Sequence, residues 1–105
     1  MSLRQKILIM ADKEIIYILK QNINQIRQEF EVTSLCVFGS VARGENGHDS
    51  DVDIFVDMPA RIFLVSRLKH FLEDILHKSV DLVRKHPHLS ERFLNQLNKD
   101  AVYVV

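Results

Sequence analysis

Only one cysteine, Cys36, occurs in the chain, so no intramolecular disulfide framework can form. Lying inside an apolar run, it reads as a small buried side chain of a reducing compartment. Tryptophan is absent, and three glycines with two prolines are too few for a collagen-like, linker-rich or low-complexity chain. No uninterrupted apolar run approaches the ~18 residues a membrane-spanning helix requires. Around Leu3, Ile7, Leu8 and Ile9, the cluster Arg4-Gln5-Lys6 breaks the apolar character and no small-residue cleavage site follows, so a secretory leader is not expected and the cytoplasm is the default location. Charge excess is lacking too. Fourteen Lys and Arg balance fourteen Asp and Glu, which argues against a protein that grips nucleic-acid backbone through a general positive field. What remains is 105 residues, 47% of them hydrophobic, enough for one folded domain over 1–105 and too few for a two-domain enzyme. Residues 1–10 either extend the first helix or form a separate extension.

Charge is uneven along the chain. Between residues 36 and 60 one cation, Arg43, faces Glu45, Asp49, Asp51, Asp53 and Asp57, whereas residues 61–105 carry eight cations and five anions. An acidic knot in a neutral protein is either a solvated loop or a metal site.

Apolar periodicity sets the expected elements. Ile15, Ile16, Leu19, Ile23, Ile26 and Phe30 recur at spacings of three and four, one stripe of an amphipathic helix over 12–30. Leu35-Cys36-Val37-Phe38 reads as a buried strand leaving into the Gly39-Ser40 turn, with a short helix starting near Val41 and a polar loop over 45–50. From Asp51 to Met58, Val52, Ile54 and Val56 alternate with Asp51, Asp53, Phe55 and Asp57, so one strand face meets a core and the other carries carboxylates. Pro59 opens a helical pattern to about His77 with Leu64, Leu68, Phe71, Leu72, Ile75 and Leu76 as its stripe. A strand over 79–83 puts Asp81 and Val83 on one face. Leu89, Phe93, Leu94 and Leu97 mark a last helix, and Ala101–Val105 suits a closing strand. The expected fold is α/β (α+β): a single small domain with a mixed sheet and helices packed on it.

The chemistry concentrates in Gly39-Ser40, ten residues, then Asp51-Val52-Asp53. A glycine after a strand lets the backbone turn sharply and frees Ser40 and the following amides to face an anion, which makes a phosphate seat. Asp51 and Asp53, two apart on a strand, leave the same face and can share one or two hard cations such as Mg²⁺. Asp81, on the polar parity of the next strand, joins them if the two strands are neighbours. Three carboxylates around two ions suit in-line phosphoryl or nucleotidyl transfer.

Phe38-Gly39-Ser40-Val41-Ala42-Arg43-Gly44 followed by Ser50-Asp51-Val52-Asp53-Ile54 resembles the core motif of the nucleotidyltransferase superfamily that includes polymerase β and kanamycin nucleotidyltransferase. The short length and the Ala-Arg-Gly variant are similar to its minimal nucleotidyltransferase (MNT) branch, many of whose members are antitoxins paired with HEPN-domain ribonuclease toxins. The resemblance covers the chain roughly from the first helix to Val105. It implies a polymerase β-like fold, ATP and two Mg²⁺ ions as cofactors, Gly39, Ser40 and Arg43 at the triphosphate, Asp51 and Asp53 as metal ligands, and Asp81 as the third carboxylate, which helps activate the acceptor hydroxyl. The implied reaction moves AMP from ATP to a protein hydroxyl, a tyrosine of a HEPN toxin, which it silences. Two alternatives stand beside it: an antitoxin or binding module that acts by steric cover alone, and a small-molecule nucleotidyltransferase of the aminoglycoside-modifying kind. No membrane or direct nucleic-acid partner is expected, and a homodimer is left open.

Bland readings attach to the other candidates. Asp57 is a polar residue at a strand end, since four residues place it about 13 Å beyond Asp53. His86 and His88 flank Pro87 in a turn, and two histidines without a third ligand are surface or capping residues. His70 and His77 lie on a solvated or partner-facing helix surface, and Tyr17 and Tyr103 read as core aromatics. Arg43 contacts phosphate or pairs with Asp49 or Asp51.

Overall fold

The computed structural model describes residues 13–42 and 51–105. Helix α1 covers 13–21 and α2 Ile23–Phe30. The continuous helix expected over 12–30 is thus divided at Asn22, which sits near φ −105° and ψ 7°. Its backbone N–H is shared between the carbonyls of Ile18 and Leu19, both at 3.2 Å, and its side-chain amide donates to Ile18 O at 2.8 Å. Asparagine competes with the helix ladder in this way, so the stripe continues past a local break.

Four strands follow with intervening helices: β1 Ser34–Phe38, α3 Gly39–Ala42, β2 Val52–Asp57, α4 Ile62–Leu76, β3 Val80–Arg84, α5 Glu91–Asp100 and β4 Val102–Tyr103. The sheet order is β3-β2-β1-β4. β1 is antiparallel to both β2 and β4, and β2 is parallel to β3, with α4 as the crossover that a parallel pair needs. α4 begins three residues later than the proline pattern suggests. Its Ile62 and Phe63 are exposed, and Leu64, Leu68, Leu72 and Leu76 form the buried stripe. At its C-terminus His77 adopts the left-handed conformation at φ 53° and donates its N–H to Glu73 O at 2.9 Å, while the Glu73 carboxylate accepts the N–H of Val80 at 3.0 Å. The helix end is thereby tied to the first residue of β3.

One face of the sheet, carrying Leu35, Val37, Val52, Ile54, Val56 and Val80, packs against α1, α2 and α4 in the main core. The opposite face carries a second, smaller cluster in which α5 places Leu97 over Cys36 and Phe55, with Phe38, Val83, Leu89, Phe93 and Ala101 around them. Ser90 caps α5, its hydroxyl accepting the N–H of Phe93 at 3.1 Å. Three aromatic or apolar expectations are corrected here. Tyr17 and Tyr103 are exposed, because among the described residues no layer covers the outward side of α1 or the two-residue strand β4, and Leu94 lies on the rim of α5 with only Leu97 of that helix buried. Among the described residues no helix is long and apolar enough to cross a membrane.

Candidate functional site

The site is assembled at one end of β1, β2 and β3 on the sheet face that carries α5. Asp53 pairs in register with Asp81 across the parallel β2–β3 ladder and with Phe38 across the antiparallel β1–β2 ladder. Residues opposite one another in a ladder project to the same face of strands ~4.8 Å apart, so the two carboxylates are side by side. The ladder continues one step further through the Val52 N–H, which donates to Ser79 O at 2.9 Å and sets Asp51 beside the start of β3. Asp51 and Asp81 are exposed and Asp53 is half-buried.

Gly39 ends β1 with a backbone φ of +70°, in the region where a side chain is strained. A Cβ placed there would collide with Oδ2 of Asp53 and come within 3.2 Å of its Cγ. Glycine is therefore required twice at this position, by the turn and by the carboxylate that occupies the space beside it. The backbone then enters α3 through Ser40. The Arg43 expectation, the Ser40 side chain and the loop 45–50 lie outside the described residues.

Among the described residues no three His, Cys, Asp or Glu side chains gather closely enough to enclose a metal ion by themselves. Asp51, Asp53 and Asp81 carry carboxylate oxygens, the donor type a hard divalent cation prefers, and Asp51 and Asp81 are exposed. Asp57 stands at the far end of β2, 3.9 Å from Lys85 Nζ, in agreement with its reading as a strand-end residue. An open groove of about 890 Å³ lined by Arg27, Glu31, Thr33, Asp57 and Pro59 also lies at that far end. His86 Nδ1 accepts the N–H of His88 at 3.1 Å, so this pair shapes a turn, and His70 and His77 are exposed on or beside α4. Burial pushes the Cys36 thiol up to about 11, partly opposed by a backbone hydrogen bond from Phe55, which makes it an inert core group.

Sequence reasoning missed what stands behind the carboxylates. Phe38, opposite Asp53, meets Phe93 of α5 edge-on, with ring centroids 5.5 Å apart and an interplanar angle of 88°, and Phe55 meets the same ring at 5.9 Å. The available signal was Phe55 itself, an aromatic on the strand parity otherwise occupied by acids, together with the Phe93 and Leu97 spacing.

The model of the nucleotidyltransferase domain matches residues 19–104. Among similar proteins, the protein adenylyltransferase MntA of Thermococcus cleftensis is 38% identical over 95 residues, covering 88% of this chain and 94% of that protein. A Methanocaldococcus jannaschii protein provisionally named protein adenylyltransferase MJ0126 is 30% identical over 93 residues, 87% of this chain and 95% of its own. A solved structure, provisionally described as a minimal nucleotidyltransferase, superposes with a TM-score of 0.67 at 32% identity, covering 79% of this chain and 86% of that one. A complex of a tri-AMPylated Shewanella oneidensis HEPN toxin with its MNT antitoxin contains a chain that matches at a TM-score of 0.55 and 21% identity, covering 93% and 71%, a likeness of fold alone. With a glycine turn, a serine and an Asp-x-Asp strand set in this mixed sheet and the domain model running over most of its length, the chain belongs to the nucleotidyltransferase family, in the company of minimal nucleotidyltransferases.

Proposed function

We propose that the chain is a Mg²⁺-dependent protein adenylyltransferase that moves AMP from ATP to a hydroxyl of a partner protein, a tyrosine of a HEPN-domain toxin, and so acts as an antitoxin. The observation that carries the proposal is the packing of Gly39 against Asp53 while Asp53 lies in register with Asp81: a side-chain-free turn and two carboxylates are locked together by backbone ladders. Relatives named as protein adenylyltransferases, which this chain matches over most of its length, support the acceptor class. Structural neighbours described as toxin–antitoxin complexes, one of them with the ATP analogue AMP-PNP, support the kind of partner and donor.

In this reading the Gly39-Ser40 turn and Arg43 receive the triphosphate, and Asp51 and Asp53, assisted by Asp81, hold Mg²⁺. When bound, the ion supplies charge neutralisation for the triphosphate and for the pyrophosphate that departs. Asp81 orients the acceptor hydroxyl and takes its proton as the hydroxyl oxygen forms a bond to the α-phosphorus. The bond from that phosphorus to the oxygen bridging to the β-phosphate breaks, and pyrophosphate carries that electron pair away. α5 and the sheet exclude solvent from behind the acids.

The test is transfer in trans. Incubated with ATP, Mg²⁺ and a HEPN partner, the chain should add whole adenylate units to the partner, read by intact mass and located at tyrosine by peptide sequencing. The Asp51→Asn, Asp53→Asn double variant should bind the partner and add nothing. Full neutralisation of the toxin by that variant would replace transfer with steric cover, and label on an aminoglycoside but not on the partner would reassign the acceptor.

A further inference from the structure

Phe93 occupies a place that the acid-and-glycine site does not explain. Its backbone N–H is fixed by the Ser90 cap at 3.1 Å, so the ring projects from the first turn of α5 at a set position. There it meets Phe38 at 5.5 Å and Phe55 at 5.9 Å. Phe38 is the last residue of β1, covalently joined to Gly39 and paired in register with Asp53; Phe55 lies two residues beyond Asp53 on the same strand face. One ring thus backs both halves of the site: the strand end that delivers the glycine turn and the strand that carries the carboxylate. α5 also packs directly on α3, the segment that begins at Gly39.

We propose that Phe93 is a positioning residue for nucleotide binding, holding Phe38, and through it Gly39 and Asp53, in the arrangement that receives a triphosphate. The inference rests on the nucleotidyltransferase reading of the site and adds to it a residue that touches neither donor nor acceptor. A T-shaped pair restrains both position and tilt of a ring, which aliphatic packing does less well. Phe38 is only half-buried, and among the described residues Phe93 is the ring it packs against. The turn at Gly39, strained for any other residue and pressed against the Asp53 carboxylate, is the point at which such loosening would appear.

Leu97 provides the control. It lies one turn further along α5, is more fully buried than Phe93, and belongs to the same cluster with Cys36 and Phe55. Truncating it removes a buried group from the same cluster without removing the ring beside Phe38. The experiment compares Phe93→Ala, Phe93→Tyr and Leu97→Ala in the full chain, below the unfolding transition of each. Backbone order parameters from ¹⁵N relaxation at Phe38, Gly39 and Asp53 should fall in Phe93→Ala from the rigid value of ~0.85 toward the flexible range below ~0.6, and stay rigid in Leu97→Ala and Phe93→Tyr. Titration with Mg²⁺ and ATP should show Kd raised fivefold or more in Phe93→Ala and within twofold of wild type in the other two. Equal effects of Phe93→Ala and Leu97→Ala on both readouts would reduce Phe93 to general core packing and overturn the proposal. If Phe93→Ala does not fold, Phe93→Leu carries the same comparison. Wild type that binds no nucleotide would refute the functional reading, while the order parameters would still decide whether Phe93 positions the turn.

Discussion

Replacing Gly39 by alanine tests the double constraint at that residue quantitatively. Its φ of +70° places any L side chain in the left-handed region, which costs ~1–2 kcal/mol. The added Cβ also meets the Asp53 carboxylate, the far end of a side chain that can swing away but must leave its rotamer, at a further ~0.5–1.5 kcal/mol. Gly39→Ala should therefore destabilise by about 1.5–3.5 kcal/mol in urea unfolding. For a domain of this size that lowers Tm by roughly 6–14 °C, at about 4 °C per kcal/mol. The two contributions separate in a double-mutant cycle with Asp53→Ala, because shortening Asp53 removes the collision and leaves the backbone strain. In that background Gly39→Ala should cost only ~1–2 kcal/mol, giving a coupling of ~0.5–1.5 kcal/mol between two residues of the site. An identical cost in both backgrounds would show that Asp53 does not occupy the space beside Gly39, and the packing argument for the site would fall.

Asp81→Asn should lower kcat for transfer by ~10²–10⁴ with a much smaller change in the KM for ATP, as expected of a group that accepts a proton; a change confined to KM would remove Asp81 from the reacting atoms. Because the buried Cys36 thiol is raised from 9.0 to about 11, the folded chain resists its ionisation more than the unfolded chain does. Stability from this group is fully present below pH 9 and lost as pH rises toward 11, so unfolding curves should weaken across that window in wild type more steeply than in Cys36→Ala, and parallel pH profiles would refute the assignment.

Much of the fold can be read from residue spacing. The order of helices and strands, the core stripe of α4 and the two faces of β2 follow from periods of 3.6 and 2, and the side-by-side placement of Asp53 and Asp81 follows from strand parity once β2 and β3 are neighbours. Other features depend on tertiary choices that periodicity does not encode. The Asn22 break is a local competition between side chain and backbone that leaves the apolar stripe unchanged. The side of the sheet covered by α5 is fixed by the shape fit of Phe93 with Phe38 and Phe55, so the β2 face expected to be simply acidic is acidic at its two ends and apolar in the middle. Tyr103 is exposed because β4 is a two-residue strand at the edge of the described sheet, and a β-branched run looks the same at an edge as in a centre.

The in-register pairing of Asp53 with Asp81 has a consequence for how this chain can change length. The two acids are far apart in sequence and meet only because the α4–β3 turn, residues 77–79, delivers β3 at one phase, pinned by Glu73 on the N–H of Val80. One inserted residue in that turn would invert β3, sending Asp81 into the core and Val80 and Leu82 into solvent. Two would restore the faces but displace the acid by about 6.6 Å, beyond a shared ion. The length of this turn therefore fixes which residue of β3 stands beside Asp53. Between Lys85, whose N–H still pairs with Val56 O, and Leu89, which packs beside α5, residues 86–88 carry no such ladder, and there length variation should be absorbed.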